Sequence, residues 1–238
     1  MPKTGLKTED LRHVPACLPI IGALLGLLEA LLYYGIKRLG LWAAGGLLMA
    51  VLPLAFTGGI HADGFLDVSD ALSSYASREK KLEILKDPHI GAFAVIRFSG
   101  LFLSEAAFCM ILAEKAPMEA AWEIGSVFIL SRLLASFGLA CCKGAKEAGL
   151  FFQFASAADR KASRAVLVME ALILSAAMIS AGWIPAFILL AGNALLFWRY
   201  IVKMKKEFGG ITGDTEGWLI CVSEGLGLAL LALGYLVL

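Results

Sequence analysis

Three aspartates, Asp63, Asp67 and Asp70, fall at spacings of four and three in the segment TGGIHADGFLDVSDALSSYASREKKLEILKDPHIGAF. On an α-helix those spacings put three carboxylates on one face, with neighbouring Cβ atoms about 5–6 Å apart. Like charges that close repel. The economical compensation is a hard divalent cation such as Mg²⁺, which binds through carboxylates and substrate phosphates. A solvated acidic face at a membrane surface is the plainer alternative. It is weakened because the cluster abuts an apolar run, where ionisable groups are costly and mark functional sites by default. Asp63, Asp67 and Asp70 are therefore the candidate catalytic and metal-binding centre.

The residues around them suit a phosphate-bearing substrate. Downstream lie Arg78, Lys80, Lys81 and Lys86, which can neutralise phosphate oxygens, so a diphosphate beside a metal satisfies both halves of the segment. Lys80 and Lys81 are better read as ordinary loop bases, whereas Lys86 and Asp87 directly precede Pro88 and the next apolar run. Arg78, Lys86 and Asp87 are the candidate substrate contacts here. Gly58, Gly59 and Gly64 allow either close approach of a ligand or tight helix packing, and alone decide nothing. His61 and His89 flank the segment, and interfacial histidines are more often hydrogen-bonded fillers than bases or ligands.

A second polar cluster, FGGITGDTEGWLICVSEG, places Thr212, Gly213 and Asp214 just before the last apolar run. A glycine-rich turn entering a helix can present backbone N–H groups to an anion, and Asp214 can add an oxygen ligand to a metal. An ordinary cap, with Thr212, Asp214 or Thr215 as the N-cap, is equally compatible. Within the apolar runs lie Glu29, Arg97, Glu105, Arg132, Glu170, Asn193 and Glu224, which should face the bundle interior and pair by opposite sign. Arg132 is the best of them to reach a phosphate from within a helix. Glu224, about three turns beyond Asp214, better suits orienting a partner.

These groups must be positioned by membrane helices. The 238 residues are 59% hydrophobic and 17% charged, with a mean hydropathy of +0.79, well above the roughly 45–50% apolar usage of soluble domains. The 21 Lys and Arg nearly cancel the 20 Asp and Glu, which gives no basis for nucleic-acid binding. Cys17, Cys109, Cys141, Cys142 and Cys221 are odd in number and scattered through apolar sequence, so they form neither a disulfide framework nor a zinc site. Apolar runs of about 20 residues, enough to cross a core roughly 30 Å thick, fall at 14–34, 39–60, 91–113, 121–142, 165–181, 183–202 and 217–238. The first follows Lys3, Lys7 and Arg12 but is too long for a signal peptide and lacks a small-residue cleavage site.

Segments on alternate sides of seven spans carry sixteen Lys and Arg against three. Because basic residues collect on the cytoplasmic side, this puts the N-terminus and both polar clusters in the cytoplasm. The expected fold is an all-α polytopic integral membrane bundle of about seven transmembrane helices, one domain over residues 1–238, embedded in a lipid bilayer. Two functions suit it: a metal-dependent transferase acting on a diphosphate, or an ion-coupled transporter with an intramembrane relay. A transporter places its acids near the midplane of repeated halves. Here they gather at one edge and no repeat is visible, which favours the transferase.

The stretches GGIHADGFLDVSDAL, REKKLEILKDPHIGAFAV and GGITGDTEG, in this order and with Glu224 beyond, resemble the adenosylcobinamide-GDP ribazoletransferase (cobalamin-5′-phosphate synthase) family over nearly the whole chain. The resemblance implies a Mg²⁺-dependent, multi-pass enzyme of the cell inner membrane with a cytoplasmic active site. In this family α-ribazole, or its 5′-phosphate, attacks the diphosphate of adenosylcobinamide-GDP and GMP leaves. By position, Asp63, Asp67 and Asp70 would be the metal and diphosphate centre. Lys86 with Asp87, and Thr212, Gly213 and Asp214, match two further family motifs. Pro88, His89 and the 143–163 loop depart from the pattern. The spacing is also similar to that of CDP-alcohol phosphotransferases, but the Ala-Arg pair and the later Gly-x3-Asp-x3-Asp element of that family are missing. Whether the chain works alone, as a homo-oligomer or with other cobalamin-assembly enzymes is left open.

Overall fold

The structure, a computed structural model, describes residues 14–145 and 159–237 together with Phe154 and Ser156. Lys3, Lys7, Arg12 and much of the 143–163 loop lie outside the described residues. The helices are α1 (Val14–Leu39), α2 (Trp42–Thr57), α3 (Ile60–Ser73), α4 (Arg78–Ile84), α5 (Ala92–Lys115), α6 (Ala120–Cys141), α7 (Arg160–Ala181), α8 (Trp183–Glu207) and α9 (Gly213–Val237). Among the described residues the only β-type pairing is an isolated bridge between Gly144 and Ile211. The all-α expectation holds. Six helices, α1 and α5 to α9, are long and apolar enough to cross a membrane, and α2 with α3 makes a seventh if the bent pair is one span. The chain is a multi-pass helical membrane protein.

The second span differs from its expected form as an unbroken run over 39–60. With 16 residues, α2 is about 24 Å long at 1.5 Å per residue, short of a hydrocarbon core of roughly 30 Å. Gly58 and Gly59 then adopt φ of +62° and +79°, in the left-handed region that costs other residues roughly 1–2 kcal/mol each. The two glycines turn the chain by 94° into α3. A broken span so placed brings a polar helix into the bundle instead of leaving it on the surface.

Around this break the bundle is built on α6, whose most apolar window is 83% buried against 17–50% for the other spans. It packs on α1, α9 and α7. The α1 contact uses small residues: a Cβ added to Gly22 would lie 2.6 Å from the Phe128 carbonyl oxygen, and one added to Gly125 would lie 2.7 Å from that of Gly26. Such close backbone approach replaces the hydrophobic driving force that lipid does not supply. At the end of the bundle remote from the aspartates, the Tyr33 hydroxyl lies 2.9 Å from the carbonyl oxygens of Ala116 and Pro117, satisfying acceptors left over where α5 ends.

At the opposite end a second, smaller core gathers Val68, Ala71, Leu85, Tyr200, Met204, Phe208, Ile211 and Leu219. It glues α3, α4, the end of α8 and the start of α9 together. Lys81, expected as an ordinary loop base, is 7% exposed and pairs with Glu207, which fastens α4 to α8. The polar segments separated in sequence thereby meet at one end of the bundle.

Candidate active site

The helix predicted for the three aspartates is α3, and its tight partner is α9. A Cβ on Gly64 would lie 2.7 Å from the Asp214 carbonyl oxygen, and one on Gly217 3.0 Å from that of His61. The two helices therefore cross antiparallel with their backbones in contact, and Gly64 serves packing while Gly58 and Gly59 serve the turn. Asp63 and Asp67, one turn apart on either side of Gly64, flank the start of α9, where Asp214 is half-buried. Asp63 is exposed and Asp67 half-buried.

Asp70 has a different setting. Its carboxylate accepts the backbone N–H of Gly91 and, at 3.0 Å, that of Ala94. These are donors of the first turn of α5, whose N-cap Gly91 has no side chain to cap with. A carboxylate there satisfies orphan N–H groups and meets the positive end of the helix dipole. A Cβ on Gly91 would fall 2.6 Å from Asp70 Oδ1, so glycine is needed for the approach. The aspartate motif and the IGAF motif are thus one physical joint. The expectation that Asp70 joins Asp63 and Asp67 around a metal meets a competing use of its oxygens.

The Thr-Gly-Asp turn resolves into a cap. Thr212 Oγ1 accepts the Thr215 N–H at 3.2 Å while Thr215 Oγ1 accepts the Thr212 N–H at 2.9 Å, a reciprocal capping box with threonine at N3. Both threonines are buried, so their side chains are spent on the start of α9. Asp214 projects from that fixed turn, with its Oδ2 3.4 Å from Thr212 Oγ1. Gly213 opens the helix and is exposed.

Arg78, exposed at the start of α4, reaches this turn: any Cβ on Gly209, at φ +81°, would collide with its guanidinium. Residue 209 must be glycine both for its backbone and for the arginine lying on it. Behind the turn, Ile211 and the chain after α6 exchange backbone hydrogen bonds: Ile211 N–H to the Lys143 carbonyl at 3.0 Å and Ala145 N–H to the Ile211 carbonyl at 2.8 Å. Lys86 and Asp87 are exposed on the loop that ends at Gly91. Asp87 accepts both the His89 N–H, at 3.0 Å, and the His89 ring Nδ1, at 2.7 Å, and these bonds hold its carboxyl below the usual carboxylate range.

Arg132 is placed differently from the others. It is 1% exposed, inside the bundle, ion-paired with Glu224 and 2.9 Å from Ser131 Oγ. Its Nε and Nη2 are buried with no hydrogen-bond partner. His61, at the start of α3, lies within electrostatic range of it. Glu224 thus orients Arg132, as its depth suggested. No local pattern signals the Lys81–Glu207 pair or the Arg78–Gly209 contact, because both join residues more than a hundred positions apart.

A divalent cation can be tested against the donors present. Among the described residues no three His, Cys, Asp or Glu side chains stand close enough to form a metal cage. Mg²⁺ seldom uses one, since it keeps waters and takes one or two carboxylates plus substrate phosphates. Asp63 and Asp67 on α3 and Asp214 at the start of the abutting α9 are carboxylates of the type such a partial set draws on, and Arg78 lies on the turn before α9.

Comparison with known proteins gives a consistent result. A protein-family model described as cobalamin-5-phosphate synthase matches residues 1–232. Relatives named adenosylcobinamide-GDP ribazoletransferase include one from Lachnoclostridium phytofermentans, 33% identical over 94% of this chain and 85% of the relative. Another, from Clostridium perfringens, is 30% identical over 98% and 92%; one from Desulforamulus reducens is 32% identical over 95% and 88%. No solved structure matches. The match along nearly the full length places this chain in the cobalamin-5-phosphate synthase family.

Proposed function

We propose that the chain acts as an adenosylcobinamide-GDP ribazoletransferase, a single membrane-embedded domain working at the α3–α9 end of the bundle. The observation that carries this reading is the backbone contact of α3 with α9 at Gly64 and Asp214, which sets the helix bearing Asp63 and Asp67 against the start of the helix bearing Asp214, with Arg78 on the turn before it; the names of the relatives supply the substrates. A ribose hydroxyl of α-ribazole, or of its 5′-phosphate, attacks the cobinamide-bearing phosphorus of adenosylcobinamide-GDP. The new P–O bond forms as the diphosphate P–O bond breaks, and GMP leaves with the bonding pair.

Asp63, Asp67 and Asp214 would hold Mg²⁺, which when bound neutralises diphosphate charge and the departing phosphate. Their carboxylates also offer an acceptor for the hydroxyl proton. Arg78 steadies the phosphates from across the Gly209 turn, and Lys86 approaches from the α4–α5 loop. Asp70, Thr212 and Thr215 hold the helix ends in register, and Gly213 leaves the mouth of the turn open. The excess of basic residues on the segments of this end supports a cytoplasmic face for it and a cytoplasmic N-terminus, in the inner membrane. A homo-oligomer or a complex with other cobalamin-assembly enzymes is compatible with the broad apolar flanks.

The test is direct. The protein, purified in detergent, is supplied with adenosylcobinamide-GDP, α-ribazole and Mg²⁺, and GMP release is measured with and without chelator. GMP that depends on all three supports the assignment; no GMP under any condition overturns it, and GMP unaffected by chelator removes the metal.

A further inference from the structure

Beside the α3–α9 crossing, one face of α8 and Trp218 of α9 line an open groove of about 680 Å³ that the transfer step does not use. Trp218 lies four residues along α9 from Asp214 and so on the same helix face. The Trp218 ring runs nearly parallel to Phe65 of α3 (6.5 Å between centroids, 6°) and to Tyr200 of α8 (6.3 Å, 13°). Phe65 is the residue after Gly64, so this band of rings is continuous with the crossing that carries the acids. Above it stand Arg199, Lys203 and Lys206, all exposed, with the Lys203 Nζ 5.4 Å from the centre of the Trp218 ring. Arg97 of α5 lies within electrostatic range of Lys203.

We infer that this groove binds the guanine nucleotide end of the donor substrate, an inference that rests on the proposed reaction. Its volume falls in the range of about 300–1,000 Å³ typical of small-ligand sites. Phe65 and Tyr200 are buried and back the half-buried Trp218 ring, which offers an aromatic face that accepts any planar base, and three cations along α8 suit a phosphate chain. The single acid of the lining, Glu207, held by Lys81, adds a carboxylate acceptor. Guanine offers ring and amino N–H donors to such a group, while the base of α-ribazole, substituted through nitrogen, offers none. Anionic lipid shares the phosphate chemistry but not the base, and the exposed Trp198 on the same wall would suit an interfacial lipid.

The experiment uses the full chain in nanodiscs of phosphatidylcholine alone, with GDP, ADP and inorganic diphosphate as probes in a calorimetric titration. GDP is expected to bind at least about tenfold more tightly than ADP or diphosphate, and Arg199→Ala with Lys203→Ala to weaken it by a similar factor. The double variant should raise KM for adenosylcobinamide-GDP with kcat and the KM for α-ribazole unchanged. Equal binding of diphosphate, or GDP affinity untouched in the double variant, overturns the inference. So does displacement of GDP preference by phosphatidylglycerol, which would assign the groove to lipid. Because the titration needs no turnover, an inactive wild-type protein would count against the transferase reading, whereas unaltered GDP binding in an active double variant would count against the groove alone.

Discussion

Asp70 is the residue for which the sequence and the structure suggest different work, and its substitution separates them. Asp70→Ala removes the acceptor of two N–H groups at the start of α5, Gly91 and Ala94, the second with no exposure to replace it with water. Loss of a helix cap costs about 0.5–2 kcal/mol, and hydrogen bonds to a charged acceptor contribute about 1.5–3 kcal/mol each. Both figures describe the same two contacts, and for a half-exposed carboxylate the loss is roughly 2–4 kcal/mol. For a chain of this size about 2–4 °C accompanies each kcal/mol, so a thermal melt in detergent should fall by roughly 4–16 °C. Asp70→Asn keeps an oxygen for one N–H and should lose about half as much. In the same preparations the Mg²⁺ concentration for half-maximal GMP release should move less than about twofold. A variant with an unchanged melt and a Mg²⁺ requirement raised tenfold or more would refute the capping argument and return Asp70 to the metal.

Asp63→Asn and Asp67→Asn should do the reverse, abolishing GMP release while leaving the melt within a degree or two; near-native turnover in Mg²⁺ from either would remove it from the site. Arg132→Ala strands the Glu224 carboxylate in the bundle and should destabilise by about 3–5 kcal/mol, whereas Arg132→Met combined with Glu224→Leu should recover most of that loss; a double variant as unstable as the single would show that the pair has a further partner. Because Arg132 is enclosed, its loss should not weaken adenosylcobinamide-GDP selectively over α-ribazole, and a selective rise in that KM would place its guanidinium on the phosphates. Gly64→Val drives a side chain into the Asp214 backbone and should open the α3–α9 crossing, seen as lost GMP release together with a lowered melt.

Much of this protein was legible along the chain because its chemistry is written in short-range patterns. The apolar runs report spans, since a bilayer core fixes their length. The four-and-three spacing of the aspartates reports a helix face, and α3 has that form. The order of three motifs reports the family. What spacing could not supply was the partner of each polar group. The spacing of Gly58 and Gly59 suits ligand approach and tight helix packing equally, and their positive φ shows a 94° turn instead. Thr212 read equally as an anion site or a cap until Thr215 was seen to bond back to it.

Asp70 looked equivalent to Asp63 because both lie on one face of α3. Only the packing of α5 against α3 gives it two N–H donors to accept. Arg132 looked able to reach a substrate because a long cationic side chain in an apolar run must go somewhere polar, and the tertiary structure sends it to Glu224. Sequence by itself determined the membrane setting, the helices and the residue types capable of metal and diphosphate chemistry, all of which follow from local composition and period. Tertiary structure decided which helix ends and side chains Asp70, Thr212 and Arg132 bond to, because partners such as Gly91 for Asp70 and Glu224 for Arg132 lie twenty to about a hundred residues away, where no periodicity reaches.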